Sequence, residues 1–250
     1  MKKVSEYRAA ARETLSGRWG EMAVITLILF LIGIACQTPS FMGNLLHSTV
    51  LRFVGGSINL MVALFLTMPL WYAFAVLLLS CTRNNETSET YMSELWSNFT
   101  GHWDTFVLAG LLLILISIAV FAVLALSFLL YFLIGMSALF VTVPLFVVGT
   151  IVLSLIYGLV PFIIQDNPGI SASDALQMSR MMMDGHMLRF FLLNFSFIGW
   201  WFLSLFTLCI GYLWLYPYIY TAQAHFYEDV KAEYEAEQAQ EAQKAQQAQA

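Results

Sequence analysis

"TGHWDTF", residues 100–106, leads into Thr105–Gln165, a run of 61 residues with no Asp, Glu, Lys or Arg. A helix crosses the roughly 30 Å of bilayer hydrocarbon with about 20 apolar residues, so this run is long enough for two crossings and too long for one. Three more uncharged runs surround it. Met22–Leu51 and Phe53–Thr82 have 30 residues each, and Phe190–Tyr227 has 38. Over all 250 residues the chain is 60% hydrophobic and 11% charged, with a mean hydropathy of +0.74. That composition lies outside the range of soluble domains. The runs predict six transmembrane helices, at about 22–37, 58–80, 106–131, 139–164, 190–208 and 211–227. The last two are short, with a turn expected near Gly211.

The opening stretch has two counterparts, "SGRWGEM" at 16–22 and "DGHMLRF" at 184–190. Their glycines, Gly17, Gly101 and Gly185, are 84 and 84 residues apart. Each follows a segment with apolar residues at helical spacing: Val4, Tyr7, Ala11 and Leu15; then Tyr91, Leu95, Trp96 and Phe99; then Ala172, Ala175, Leu176, Ser179, Met182 and Met183. Ser171 with Asp174 reads as the cap that starts the third segment. These segments read as amphipathic helices lying in the membrane interface, apolar side down. Glycine after such a helix allows the left-handed turn that ends it. Arg18, His102 or His186 then follows, a cation for the helix dipole and for anionic headgroups. Trp19 and Trp103 read as interfacial anchors, whereas Met187 departs from the pattern.

The reading is an all-α membrane protein built from three repeated units, each an interfacial amphipathic helix, a glycine elbow and a transmembrane hairpin. The units run from about 4–82, 87–165 and 171–227, and a Glu/Gln/Ala-rich tail occupies 228–250. Each return crossing carries a proline, Pro69, Pro161 or Pro217, which predicts a kink. Residues 38–57 read as the one sizeable outer loop, with His47 and Arg52 solvated in it. Ten of the eleven basic residues fall on the side of the N-terminus, with Arg52 alone opposite, which predicts cytoplasmic N- and C-termini. The net charge of −5 resides mostly in the tail and implies no nucleic-acid partner. Cys36, Cys81 and Cys209 form no CxxC pair and read as free, with a Cys36–Cys209 disulfide near the outer surface as the alternative.

"ARETLSGRW", "SASDALQMSRMMMDGHMLRFFLLNFSFIGWWFL" and "LYPYIYTAQAHFYEDV" resemble a bacterial integral-membrane family catalogued as domain of unknown function nine-seven-five. Ser179, Gly185, Phe195, Ser196, Ile198, Gly199, Trp200, Pro217, Tyr218, Phe226 and Tyr227 carry most of the likeness. The helix-then-glycine elbows are more faintly similar to membrane domains of bacterial glycerophosphodiester phosphodiesterases. The resemblance implies a multi-pass inner-membrane protein and supplies no activity.

No catalytic constellation is visible. The predicted spans hold no charged residue, which removes the usual pointer to ion coupling. There is neither a Walker A sequence nor an HExxH motif, and the histidines at 47, 102, 186 and 225 lie at or outside span ends. No metal and no cofactor is expected. If a binding site exists, Asn194, Ser196 and Gln223 are the candidates, on adjacent passes of the third unit. The expected role is a non-enzymatic scaffold or accessory protein that interacts with membrane lipids, or with partner proteins through the collar or tail. The alternative is a carrier or exporter of a lipid-like or amphipathic molecule.

Overall fold

The computed structural model describes residues 2–83, 91–134 and 137–249, and these are all-helical. In chain order the helices are α1 (Val4–Thr14), α2 (Trp19–Leu45), α3 (Thr49–Val62), a π-helical segment (Ala63–Thr67), α4 (Met68–Arg83), α5 (Tyr91–Gly101) and α6 (Trp103–Ile134). They continue with α7 (Ser137–Ile156), α8 (Val160–Asp166), α9 (Ala172–Met183), α10 (Met187–Phe195), α11 (Ile198–Phe206) and α12 (Tyr212–Gln249). The expected start of a second unit near residue 87 lies outside the described residues.

Four stretches are long and apolar enough to cross a membrane: Trp19–Thr38, Arg52–Arg83, Val143–Asp166 and Met187–Phe206. A fifth is the pair Tyr91–Gly101 and Trp103–Ile118, if the two are counted as one span bent by 66°. The protein is therefore a helical membrane protein with four to five such spans among its described residues. The segment 211–227 enters α12, which continues without a break through the polar tail to Gln249. The tail extends the last helix because Glu, Gln and Ala all favour helix and nothing in it ends one.

Residues 38–57, expected as a loop, are mostly helical. Only Leu46–Ser48 turn, between α2 and α3, with His47 at φ 50°. Some polar side chains in this stretch and at its edges find partners without leaving the helices. Thr38 Oγ1 donates to Ala35 O at 2.8 Å, and Asn59 Nδ2 donates to Gln37 Oε1 across the helix pair at 2.7 Å. A hydroxyl that bonds back into its own helix removes the reason to unwind it.

The core is a trio of segments from well-separated parts of the chain: α4, α8 and the first half of α12. From Ala73 to Leu79 every side chain is enclosed, and Leu159, Val160, Phe162, Ile163, Ala222, Phe226, Tyr227 and Val230 are equally buried. The helices α1, α5 and α9 wrap this trio, and their apolar stripes face it. The contact pairs form a cycle, with α5 on α4, α9 on α8 and α1 on α12. This corrects the expectation that those stripes face lipid. A helical stripe records that one side is dry, and here protein supplies the dry surface. Trp96, expected on the stripe of α5, points outward, 59% exposed.

The burial pattern recurs at the spacing of the glycines. Ten residues before them stand Tyr7, Tyr91 and Ala175; six before, Ala11, Leu95 and Ser179; two before, Leu15, Phe99 and Met183. Five residues after stand Met22, Phe106 and Phe190, and eight after, Ile25, Ala109 and Leu193. All fifteen are buried.

The three glycines differ in conformation. Gly17 and Gly185 lie at φ 80° and 73°, the left-handed region expected for a helix-ending glycine. Gly101 stays helical as the last residue of α5, and His102 alone separates it from α6. A 66° bend spreads over this junction without a left-handed residue, because the chain continues as helix on both sides. The cap at Ser171 is as expected, with Asp174 N donating to Ser171 Oγ at 3.2 Å.

Candidate functional site

The elbow residues turn inward to the protein. Arg18 is 6% exposed, and its Nη1 donates to the carbonyl of Cys81 at 3.5 Å, near the negative end of the α4 dipole. Its expected headgroup role is replaced by a contact between the first elbow and a return helix. Trp103 has an equally specific task. Pro69 has no N–H, which frees the carbonyl four residues earlier, at Phe65, inside the π-helical segment that ends two residues before that proline. The Trp103 indole N–H donates to Phe65 O at 2.8 Å. Trp19 meets the ring of Tyr218 edge-on, with centroids 6.1 Å apart. His102 lies against Phe106, and His186 Nε2 is 3.7 Å from Glu233 Oε2. Among the described residues no three His, Cys, Asp or Glu side chains are grouped to hold a metal. Cys36, Cys81 and Cys209 are free.

Two of the three candidate binding residues meet. Gln223 Nε2, in α12, donates to Asn194 Oδ1, in α10, at 2.8 Å. Asn194 Nδ2 bonds back to Phe190 O. Ser196 stays apart, its hydroxyl donating to Leu193 O within the same turn.

Gln223 lines two neighbouring cavities. One, of about 390 Å³, has walls from α4, α6, α7, α8 and α12, including Tyr72, Ser117, Thr150, Ser154, Tyr157 and Tyr220. The other, of about 360 Å³, lies toward Asn194, Phe190 and Ile198. Ser154 and Gly158 line both as well. Gly158 leaves room for Phe190, since a Cβ there would come within 2.7 Å of the ring. The hydroxyls of Ser117, Thr150 and Ser154 donate to carbonyls of their own helices, so their lone pairs are what they offer a guest. The phenol hydroxyls of Tyr72, Tyr157 and Tyr220 bond to no protein group among the described residues. Among the described residues the lining is uncharged.

A second polar constellation ties the ends of the core trio together, and no local pattern in the sequence announces it. Asp166, at the end of α8, has a side chain only 6% exposed. Arg83 at the end of α4 donates to both of its oxygens, at 2.6 and 2.8 Å. Lys231 and Tyr227 of α12 donate to Oδ2 at 2.6 and 2.8 Å. Arg83 also reaches Glu228 at 2.6 Å. A bidentate guanidinium plus two further donors satisfies the buried carboxylate. On the α1 side, Tyr7 and Lys2 donate to Asp229 at 2.9 and 3.1 Å, and Thr14 bonds His225 at 2.9 Å. Burial, then the hydrogen bond to Asp229 and its charge, raise the Tyr7 pKa well above its ordinary value, so the phenol remains a donor.

A family model described as protein of unknown function (DUF975) matches residues 1–234. The chain belongs to that family. The match spans the three elbows, both cavities and the Asp166 constellation, and ends within α12. Comparisons with curated proteins and with solved structures gave no match.

Proposed function

We propose that this chain is a non-enzymatic, multi-pass protein of the bacterial inner membrane that holds an uncharged, hydrogen-bonding amphipath in the cavity at Gln223. In this reading it crosses the membrane six times, with both termini cytoplasmic, as three like-oriented units around a collar. It acts as an accessory to membrane lipids or to partner proteins docked on the collar or tail. The cyclic packing of α5 on α4, α9 on α8 and α1 on α12 supports the three-unit plan, because each wrapping helix rests on the return helix of a different unit. The recurrent burial at the glycine spacing supports it too. Reporters fused after Asn44 and after Ala250 test the topology: opposite sides are expected, and the same side refutes six passes.

The observation that carries the ligand is that Tyr72, Tyr157 and Tyr220, whose hydroxyls bond to no protein group among the described residues, line a cavity of about 390 Å³ beside Gln223. Groups of this kind in a dry site hydrogen-bond either water or a guest. Native mass spectrometry of the purified full chain should find a lipid-sized adduct. Tyr157→Phe and Gln223→Leu should each weaken it about two- to tenfold, the worth of one hydrogen bond. An adduct unchanged in both variants would remove the cavity from the account.

A carrier is the second reading, favoured by the helix break at Tyr157–Leu159 beside Pro161 in the wall of this cavity. Such a break is a natural hinge. Movement of a labelled lipid between leaflets of vesicles containing the chain, lost in Gly158→Val, would support it over static binding.

A further inference from the structure

A third pocket, of about 340 Å³, lies between the first elbow and the α11–α12 hairpin, with Trp19, Trp200, Leu203, Trp214 and Leu215 in its walls. Trp200, Leu203 and Trp214 are each about half exposed, so the pocket is on the outer surface of the bundle and is reached from the lipid. Its own hydroxyls are already satisfied. Ser204 donates to Trp200 O; Thr207 donates to Ser204 O and accepts from Gly211 N. Among the described residues that line it, Arg12 is the one that carries a charge.

Arg12 has no carboxylate within ion-pair distance among the described residues. Asp229 and Glu6 already have partners. Asp229 accepts from Lys2 and Tyr7, Glu6 accepts from the backbone of Lys3, and Glu13 is exposed. Arg8, one turn before Arg12, lies over the Phe197 ring at 5.5 Å, and its Nε donates to Tyr218 Oη at 3.4 Å. Tyr218 itself lines the pocket. Arg12 thus lines an apolar, tryptophan-walled groove and Arg8 holds Tyr218 in its wall, neither arginine with a carboxylate in ion-pair distance among the described residues.

We propose that this groove binds an anionic phospholipid, with the phosphodiester paired to Arg12 and an acyl chain against Trp200, Leu203 and Trp214. The guanidinium offers phosphate a two-point, charge-assisted contact. Tryptophan favours the level where headgroup meets chain. The residues that line the groove are all different from those that line the cavities at Gln223, and the proposal does not depend on a guest there.

Native mass spectrometry of the full chain in detergent tests it, with phosphatidylglycerol, with phosphatidylcholine of the same acyl chains, and with inorganic phosphate. The expected result is about tenfold greater retention of phosphatidylglycerol than of phosphatidylcholine, and loss of that preference in Arg12→Gln at unchanged melting temperature. Leu203→Trp, which fills the groove, should lower retention of both lipids, while Gln223→Leu should keep the preference. Equal retention of the two lipids, a preference that survives Arg12→Gln, or displacement of phosphatidylglycerol by inorganic phosphate would each overturn the proposal.

Discussion

Phe74 and Phe206 are the same side chain in opposite surroundings. Phe74, in α4, is fully enclosed by protein between Trp71 and Tyr220, whereas Phe206, at the end of α11, is 83% exposed. The contrast extends to whole regions. The collar, where α1, α5 and α9 wrap α4, α8 and α12, buries aromatic and aliphatic side chains against one another and closes with the Asp166 constellation. The hairpin ends turn theirs outward, among them Phe41, Phe53 and Phe140. Such exposure would be untenable in water and is ordinary in lipid. One region is held by protein packing, the other by its solvent, and the cavities lie where the two meet.

Truncation separates these regimes most sharply. Phe74→Ala should destabilise the detergent-solubilised chain by about 4 kcal/mol in thermal or denaturant unfolding. Phe206→Ala should fall within about 0.5 kcal/mol of the parent. Comparable losses would mean that the hairpin ends are packed by something other than lipid. Asp166→Ala should come next, at about 3 kcal/mol, because Arg83, Lys231 and Tyr227 then lose their shared acceptor. Restoring little of that loss with Asn would separate charge from shape.

The elbows refine the comparison on a smaller scale. Gly17→Ala and Gly185→Ala should each cost about 1 kcal/mol, since L-residues resist the left-handed region. Gly101→Ala should be neutral or slightly stabilising, because Gly101 is helical and has open space at its Cβ position. Among the substitutions expected to destabilise, Trp103→Phe should cost the least. It removes one hydrogen bond, to Phe65 O, in a partly exposed place, for about 0.5–1 kcal/mol.

The helical and membrane character was legible because both follow from local composition and spacing. The Ser171 cap, the left-handed Gly17 and Gly185, and the existence of apolar stripes on α1 and α9 were legible for the same reason. Periodicity says that a face is dry without saying what dries it, so the stripes were assigned to lipid although protein covers them. The Gly101 elbow looked like its neighbours because the seven-residue strings match, but conformation there follows from α6 continuing as helix directly after a one-residue break. Asn194 and Gln223 were found through their rarity in apolar stretches. Asp166 was passed over as one acid among sixteen, since its partners Arg83 and Lys231 are 83 and 65 residues away and no local pattern links them.

Closure of the collar, α1 onto α12 and α8 onto α12, is the claim on which the rest depends. Zero-length carbodiimide coupling in native membranes tests it directly, because Lys2 Nζ lies 3.1 Å from Asp229 and Lys231 Nζ lies 2.6 Å from Asp166. Peptide mass spectrometry should recover Lys2–Asp229 and Lys231–Asp166 amide links within a single chain. Recovery of neither link, or of links only between separate chains, would contradict the closed collar.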